Sequence, residues 1–235
     1  FAEVYWGISL DDTYFASHGA EGLLLNMEAQ RASYVSLQEA FAGKNAPDSF
    51  DIVVTNPPYK ILKAERPHYP TEEAYAADQA RYQAAGELAR RQFPLASSGV
   101  LNLYKLFVEE ILLRYIKKGG YGALLIPASV LTEKNGAKLR TCMLTEHQLR
   151  SVWVIREESG YLDSRQAACA LLLRTGGETG SIRITADYCR DPEETVQIEG
   201  RDLLKSRTGN AIFPLDRESY QILSALRSFK TVKDY

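Results

Sequence analysis

The run Phe50-Asp51-Ile52-Val53-Val54-Thr55 stops abruptly at Asn56-Pro57-Pro58-Tyr59, and this junction constrains the chain more than any other feature. Six residues so rich in β-branched and apolar side chains read as a buried strand. Two successive prolines cannot prolong it, because each fixes φ and lacks the N–H that a ladder requires. The strand therefore delivers the tetrapeptide to its own carboxyl end, the place where open α/β sheets bind ligands.

The flanking pattern is that of an α/β protein. Residues 4–10 read as a first strand, followed by Asp11-Asp12-Thr13 at a helix start, and Phe15, Leu23, Leu24 and Met27 recur at helical spacing despite Gly19 and Gly22. Residues 34–37 are a short strand candidate. Residues 60–98 are rich in Glu, Ala, Gln and Arg, which predicts an insertion carrying a surface helix over 71–92, poor in large apolar groups and therefore mobile. Leu103, Leu106, Phe107, Ile111 and Tyr115 form a helical stripe over 101–116, and Lys117-Lys118-Gly119-Gly120 reads as its C-terminal cap. A strand over 121–126, a helix over 136–146 and strands over 151–155 and 167–173 follow. The last two have no long helix between them and are expected to pair antiparallel. After Gly176-Gly177 come short β-like pieces at 181–185 and 195–199 and a helix near 216–229. The sequence thus divides into a domain over 1–176 and the beginning of a linker or further module over 177–235.

Composition narrows the function classes. The 45% apolar and 25% charged residues are those of an ordinary globular domain. A net charge of −2 removes the simple electrostatic argument for nucleic-acid binding without excluding a basic surface elsewhere in the protein. The longest apolar stretches fall far short of the roughly 20 residues that cross a bilayer, so no membrane span is expected. Cys142, Cys169 and Cys189 form no Cys-x-x-Cys pair, and His18, His68 and His147 show no ligand spacing. Neither a disulfide framework nor a metal is expected, and a reducing cytoplasm is the default. The chain starts Phe1-Ala2-Glu3-Val4, which reads as a cut inside a longer protein.

The bland reading of Asn56-Pro57-Pro58-Tyr59 is a rigid turn; the chemical one concerns an amine. An exocyclic amine delocalises its lone pair into the ring and attacks poorly until acceptors draw its hydrogens out of plane. The Asn56 side-chain oxygen and the Pro57 carbonyl can supply two such acceptors, with no proline N–H to draw the loop into a regular turn. Positioning and stabilisation of developing charge suffice, with no prior loss of a proton. Tyr59 offers a flat face on which a base lifted from a duplex can stack.

With this motif the chain resembles the adenine-specific DNA methyltransferases of restriction-modification systems. Val4-Tyr5-Trp6-Gly7-Ile8-Ser9-Leu10-Asp11 looks like the second strand of that fold, with Ser9 where the family usually has an acid for the cofactor ribose and Asp11 nearby to replace it. Val35-Ser36-Leu37-Gln38-Glu39 is similar to the third-strand motif, where Glu39 would meet the cofactor adenine. Leu101-Asn102-Leu103-Tyr104-Lys105-Leu106-Phe107 resembles the helix whose Phe107 would pack on that adenine, and residues 119–127 fit the fifth strand. Tyr161 is the nearest aromatic to the loop that helps to hold the flipped base. The resemblance implies a Rossmann-like class I methyltransferase sheet flanked by helices, truncated before the first strand and its Gly-rich cofactor loop, with a small C-terminal β/α extension.

It further implies S-adenosylmethionine as cofactor, held by Ser9, Asp11, Glu39, Asn56 and Phe107. Asn56, Pro57, Pro58 and Tyr59 would be catalytic, and Tyr59, Lys60 and Tyr161 would meet substrate. The implied partners are double-stranded DNA with a flipped adenine and a restriction nuclease or other subunit of the system. Methyltransferases of an RNA base or of a protein glutamine amide also carry Asn-Pro-Pro-Tyr, but the 60–98 insertion, the Asn102-Leu103-Tyr104-x-x-Phe107 segment and the continuation past Gly177 favour DNA. A non-catalytic binding domain that keeps the fold is the third reading, supported by Ser9 and the missing cofactor loop.

Overall fold

The computed structural model describes residues 49–160, 166–204 and 209–226. The chain forms two compact units, one up to Lys117 and one from Lys118. In the first, β1 (Phe50–Thr55) ends at the tetrapeptide as expected. One expectation fails: β1 is not a buried strand, since Ile52 is 68% and Val54 62% exposed. Strand side chains alternate between two faces, and among the described residues nothing covers the face of this pair. The composition of the strand revealed its conformation, not its burial.

The helix of the insertion is α1 (Glu72–Gln92). Thr71 caps it by accepting the Ala74 N–H at 3.2 Å. Glu72 and Glu73 in its first turn and Arg90 and Arg91 in its last complement the helix dipole. Burial is confined to one end, where Ala85, Ala89, Phe93 and Ala96 are almost wholly covered. At the other end the contacts are local, and they include the Tyr69 and Tyr75 rings with centroids 5.7 Å apart. Arg66 pairs with Glu72 at 2.8 Å, and the Tyr69 hydroxyl donates to Asp78 at 2.8 Å. That bond to a carboxylate pushes the Tyr69 phenol up to about 12.

α2 (Leu103–Glu110) follows the predicted stripe but passes at Ile111–Tyr115 into a π-helical turn closed by the Ile116 N–H on the Ile111 carbonyl. The predicted cap is thereby corrected. Lys117, Lys118, Gly119 and Gly120 lie inside β2 (Ile116–Pro127), which starts earlier than the apolar run alone suggests. Lys117 pairs with Asp51 of β1 at 3.0 Å, and the Arg174 guanidinium donates to the Gly119 carbonyl at 3.1 Å. These partners give the basic and glycine residues extended roles that a helix end would not.

The second unit is built on a mixed sheet of β2, β4 (Ala168–Thr175), β3 (His147–Ile155), β5 (Ser181–Thr185) and β6 (Thr195–Glu199), in that spatial order. β4 lies antiparallel to β3, as the short link between the last two predicted strands implies, and antiparallel to β2 as well. β3 and β5 run parallel, and β5 and β6 antiparallel. The boundary read at Gly176 thus falls between strands of one sheet. Opposed residues form continuous rows across it, Leu124 with Leu171, Val152 and Ile184, and Ile126 with Cys169 and Val154, all nearly inaccessible. Cross-strand apolar contacts of this kind are the unit of sheet stability. The fully buried Cys169 thiol is raised far above its ordinary pKa by burial and stays a small apolar group.

α3 (Ala137–Thr145) packs on β3 and carries a fully buried Arg140. Its guanidinium donates to the carbonyls of Val130 (2.6 Å), Glu133 (2.8 Å), Gly209 (2.8 Å) and Asn210 (3.1 Å). Asn210, at φ 58°, also donates its side-chain amide to Thr141 at 2.6 Å. Two loops are thus held to one helix by one cation. The short α4 (Gly200–Leu204) and the exposed α5 (Arg217–Leu226) flank this junction in sequence.

Two predictions follow from this packing. Arg140→Ala leaves several buried carbonyls without a donor, and urea unfolding should register a loss of about 3 kcal/mol or more; a loss below about 1 kcal/mol would refute the clamp. His147 is buried, which pushes its imidazole below the usual 6.5, while neighbouring Glu146 offsets part of that shift. The unfolded chain therefore binds a proton that the fold excludes, so this contribution to stability is complete above pH 6.5 and is lost as pH falls through the lowered folded value. His147→Gln should flatten the decline of the urea midpoint as pH falls below 6.5.

Candidate active site

The tetrapeptide is held from behind. Residues 60–62 run antiparallel to 101–103, with the Leu103 N–H on the Lys60 carbonyl at 2.8 Å and the Leu62 N–H on the Leu101 carbonyl at 2.9 Å. Ile61 and Asn102 are the bridged pair between them. Buried Leu62 and Leu101 fasten this short ladder to the core of the unit. The loop is thus anchored on one side by β1 and on the other by the start of α2.

Within it, Asn56 and Pro58 are exposed, Pro57 is buried and Tyr59 and Lys60 are half-buried. Tyr59 meets the buried Tyr104 edge to face, with ring centroids 6.3 Å apart and planes at 77°. The covered Lys105 ammonium lies 5.9 Å from the Tyr104 ring centroid. The second proline packs outward and the first inward, so the backbone between Asn56 and Tyr59 is stiff without forming a regular turn. An exposed carboxamide on stiff backbone beside a partly open aromatic ring can receive a planar, amino-bearing ligand.

α2 supplies further groups. Its residues are buried except Phe107, which is half-buried. The buried Glu109 carboxylate accepts the N–H groups of Leu95 (3.1 Å) and Ala96 (2.7 Å), tying the segment after α1 to α2. Burial raises the Glu110 carboxyl in spite of its bond to Arg114. Tyr104, Lys105 and Glu109 lie off the apolar stripe; the sequence reading gives Tyr104 and Lys105 no role beyond their place in the segment over 101–107 and does not single out Glu109. The spacing of Lys105 and Glu109, one helical turn apart, was the available signal.

Of the residues expected to bind ligands, the structure thus brings together Asn56, Pro57, Pro58, Tyr59, Lys60 and the helix that carries Phe107. Ser9, Asp11, Glu39 and Tyr161 lie outside the described residues. No cluster of metal-ligating side chains occurs among the described residues, and none of their helices is long and apolar enough to cross a membrane.

The Eco57I restriction-modification methylase family matches residues 12–160, more than half of the chain. The chain belongs to that family. It is a family of S-adenosylmethionine-dependent methyltransferases. Among curated proteins there is no match. Similar solved structures include the methyltransferase subunit of a type I restriction-modification system from Streptococcus thermophilus (16% identity, 80% of this chain and 34% of that one, TM-score 0.39). The type I enzyme EcoKI M protein is another (16%, 61% and 26%, 0.39). A third is a nuclease-deletion mutant of the type ISP enzyme LlaGI with a DNA substrate mimic (11%, 78% and 17%, 0.47). The chain spans well under half the length of each of these proteins.

The described residues fit part of such a cofactor. Half-buried Phe107 offers a face for a heterocycle, and the Asn102 side-chain oxygen is a buried acceptor with no partner among the described residues.

The uneven burial of the insertion predicts an uneven opening. Amides of residues 75–82 should exchange at least about ten-fold faster than those of 86–97, which the apolar end of α1 and the Glu109 bonds protect. Hydrogen exchange followed by mass spectrometry reads both segments, and equal rates would contradict this anchoring.

Proposed function

We propose that the protein transfers a methyl group from S-adenosylmethionine to the exocyclic amine of adenine in double-stranded DNA, as the modification activity of a restriction-modification system. The observation that carries this reading is the exposed Asn56 carboxamide at the end of β1, on a loop with no proline N–H to satisfy its acceptors. Membership of a restriction-modification methylase family supports DNA over RNA or protein as the substrate.

When bound, the cofactor supplies an electrophilic methyl group. The chain's own part is to prepare the nucleophile. Asn56 Oδ1 and the Pro57 carbonyl each accept one hydrogen of the adenine amine, which draws both out of the ring plane and returns the lone pair to nitrogen. Developing positive charge on that nitrogen strengthens both bonds, so they act mainly in the transition state. Tyr59 stacks on the extruded base, and its own edge-to-face contact with Tyr104 keeps the ring from following the base as it leaves. Phe107 holds the cofactor adenine, with Ser9 or Asp11 and Glu39 as its polar contacts. Tyr161 would close on the base, and Lys60, Lys63 or Arg66 would meet DNA phosphates as the 60–98 segment folds over it. A restriction nuclease or other subunit of the system is the expected protein partner.

Asn56→Ala in the full-length protein should reduce methylation by about a hundred-fold or more while changing cofactor affinity only a few-fold, because the lost acceptor serves the amine. Incorporation of labelled methyl into unmethylated genomic DNA measures the first and calorimetry the second. A loss below about ten-fold would show that Asn56 is not the acceptor.

A further inference from the structure

The Asn102 side-chain oxygen stands out among the polar atoms of the first unit. Asn102 occupies the N-cap of α2, where an asparagine ordinarily accepts a backbone N–H of the first turn, yet its side chain makes no such bond. Its Oδ1 is instead buried without a partner among the described residues. Among the described residues three other buried polar side-chain atoms lack partners, His147 Nε2, Ser151 Oγ and Ser181 Oγ; all belong to strands of the second unit. Asn102 alone of the four lies on the ladder behind the catalytic loop, bridged to Ile61 and flanked by the bonds of Lys60 with Leu103 and of Leu62 with Leu101. A buried oxygen that forgoes its cap is costly unless something donates to it.

We infer that Asn102 is a positioning residue of the methyltransferase site, its Oδ1 accepting an N–H from an amino-bearing ligand seated against the Asn56–Tyr59 loop. The inference rests on the function proposed above. A carboxamide oxygen can only accept, so the ligand must donate. The cofactor and the target base both carry amino groups, and either can be the donor. The backbone of Asn102 is fixed by the same ladder that fixes Lys60, so the acceptor and the catalytic loop move as one piece. A ligand bonded to both is thereby held at a set distance from Asn56.

Two variants of the full-length protein test this. Asn102→Leu keeps the volume and removes the acceptor; Asn102→Asp keeps an acceptor and the shape. Cofactor affinity is measured by calorimetry with S-adenosylmethionine alone, and kcat/KM with unmethylated genomic DNA at saturating cofactor. The expected result is that Asn102→Leu loses about ten-fold or more in one of the two while its thermal midpoint stays level or rises, and that Asn102→Asp recovers most of the loss. A loss in cofactor affinity identifies the cofactor as donor. A loss in kcat/KM with cofactor affinity intact identifies the base. Wild-type activity with an Asn102→Leu variant within about three-fold on both measures overturns the inference, as does a loss accompanied by a fallen thermal midpoint that Asn102→Asp does not recover. A wild-type protein that neither binds the cofactor nor methylates DNA overturns the proposed function itself, and this inference with it.

Discussion

The two hydrogen bonds between residues 60–62 and 101–103 are the constraint on which the site depends. In the function proposed above, the loop acts by positioning acceptors on the amine, and acceptors of that kind must stand in place before the substrate arrives. The prolines stiffen the tetrapeptide but cannot locate it, since neither donates a hydrogen bond. β1 locates its beginning. The ladder locates its end and ties it to α2, the helix that carries Tyr104, Phe107 and Glu109. One short pairing thus joins the catalytic loop, a candidate cofactor face and the anchor of the insertion.

That arrangement gives the insertion two characters. Glu109 reaches back from α2 to the Leu95 and Ala96 amides, and Ala85, Ala89 and Phe93 bury the adjoining end of α1. The far end is held by local contacts, the exposed pair of Arg66 with Glu72, the Tyr69 hydroxyl on Asp78 and the ring contact of Tyr69 with Tyr75, and exposed ion pairs contribute little. A segment fixed at the site and loose away from it can change its cover over a ligand without disturbing the loop beneath.

Much of this was readable in the residues. The strand, its abrupt end and the tetrapeptide follow from proline chemistry and β-branched composition, and the antiparallel β3 and β4 follow from the shortness of the link between them. The start of β2 did not follow, because Lys117-Lys118-Gly119-Gly120 carries every local mark of a helix end. Its extended form depends on long-range partners, Asp51 for Lys117 and Arg174 for the Gly119 carbonyl. The exposure of Ile52 and Val54 was equally hidden, since composition reports what a strand can bury and not what is present to cover it. Of the proposed site, Asn56, Pro57, Pro58 and Tyr59 were nominated by chemistry that belongs to four adjacent residues. Glu109 was harder to find for the opposite reason: its spacing from Lys105 marks it only faintly, and its role lies in amides fourteen and thirteen residues earlier.

Asn102 shows where sequence reasoning goes astray even when a residue is noticed. An asparagine just before a helical stripe predicts a cap, and capping is the bland and usual role. The fold places it at that position and withholds the bond. A residue that follows the local rule in sequence and breaks it in three dimensions indicates a competing demand, because local agreement is what folding alone favours. Here the competing demand coincides with the ladder behind the catalytic loop. Folding stability is given up at the point where the site needs a fixed acceptor, which is the trade expected when a binding group is built into the backbone that supports it.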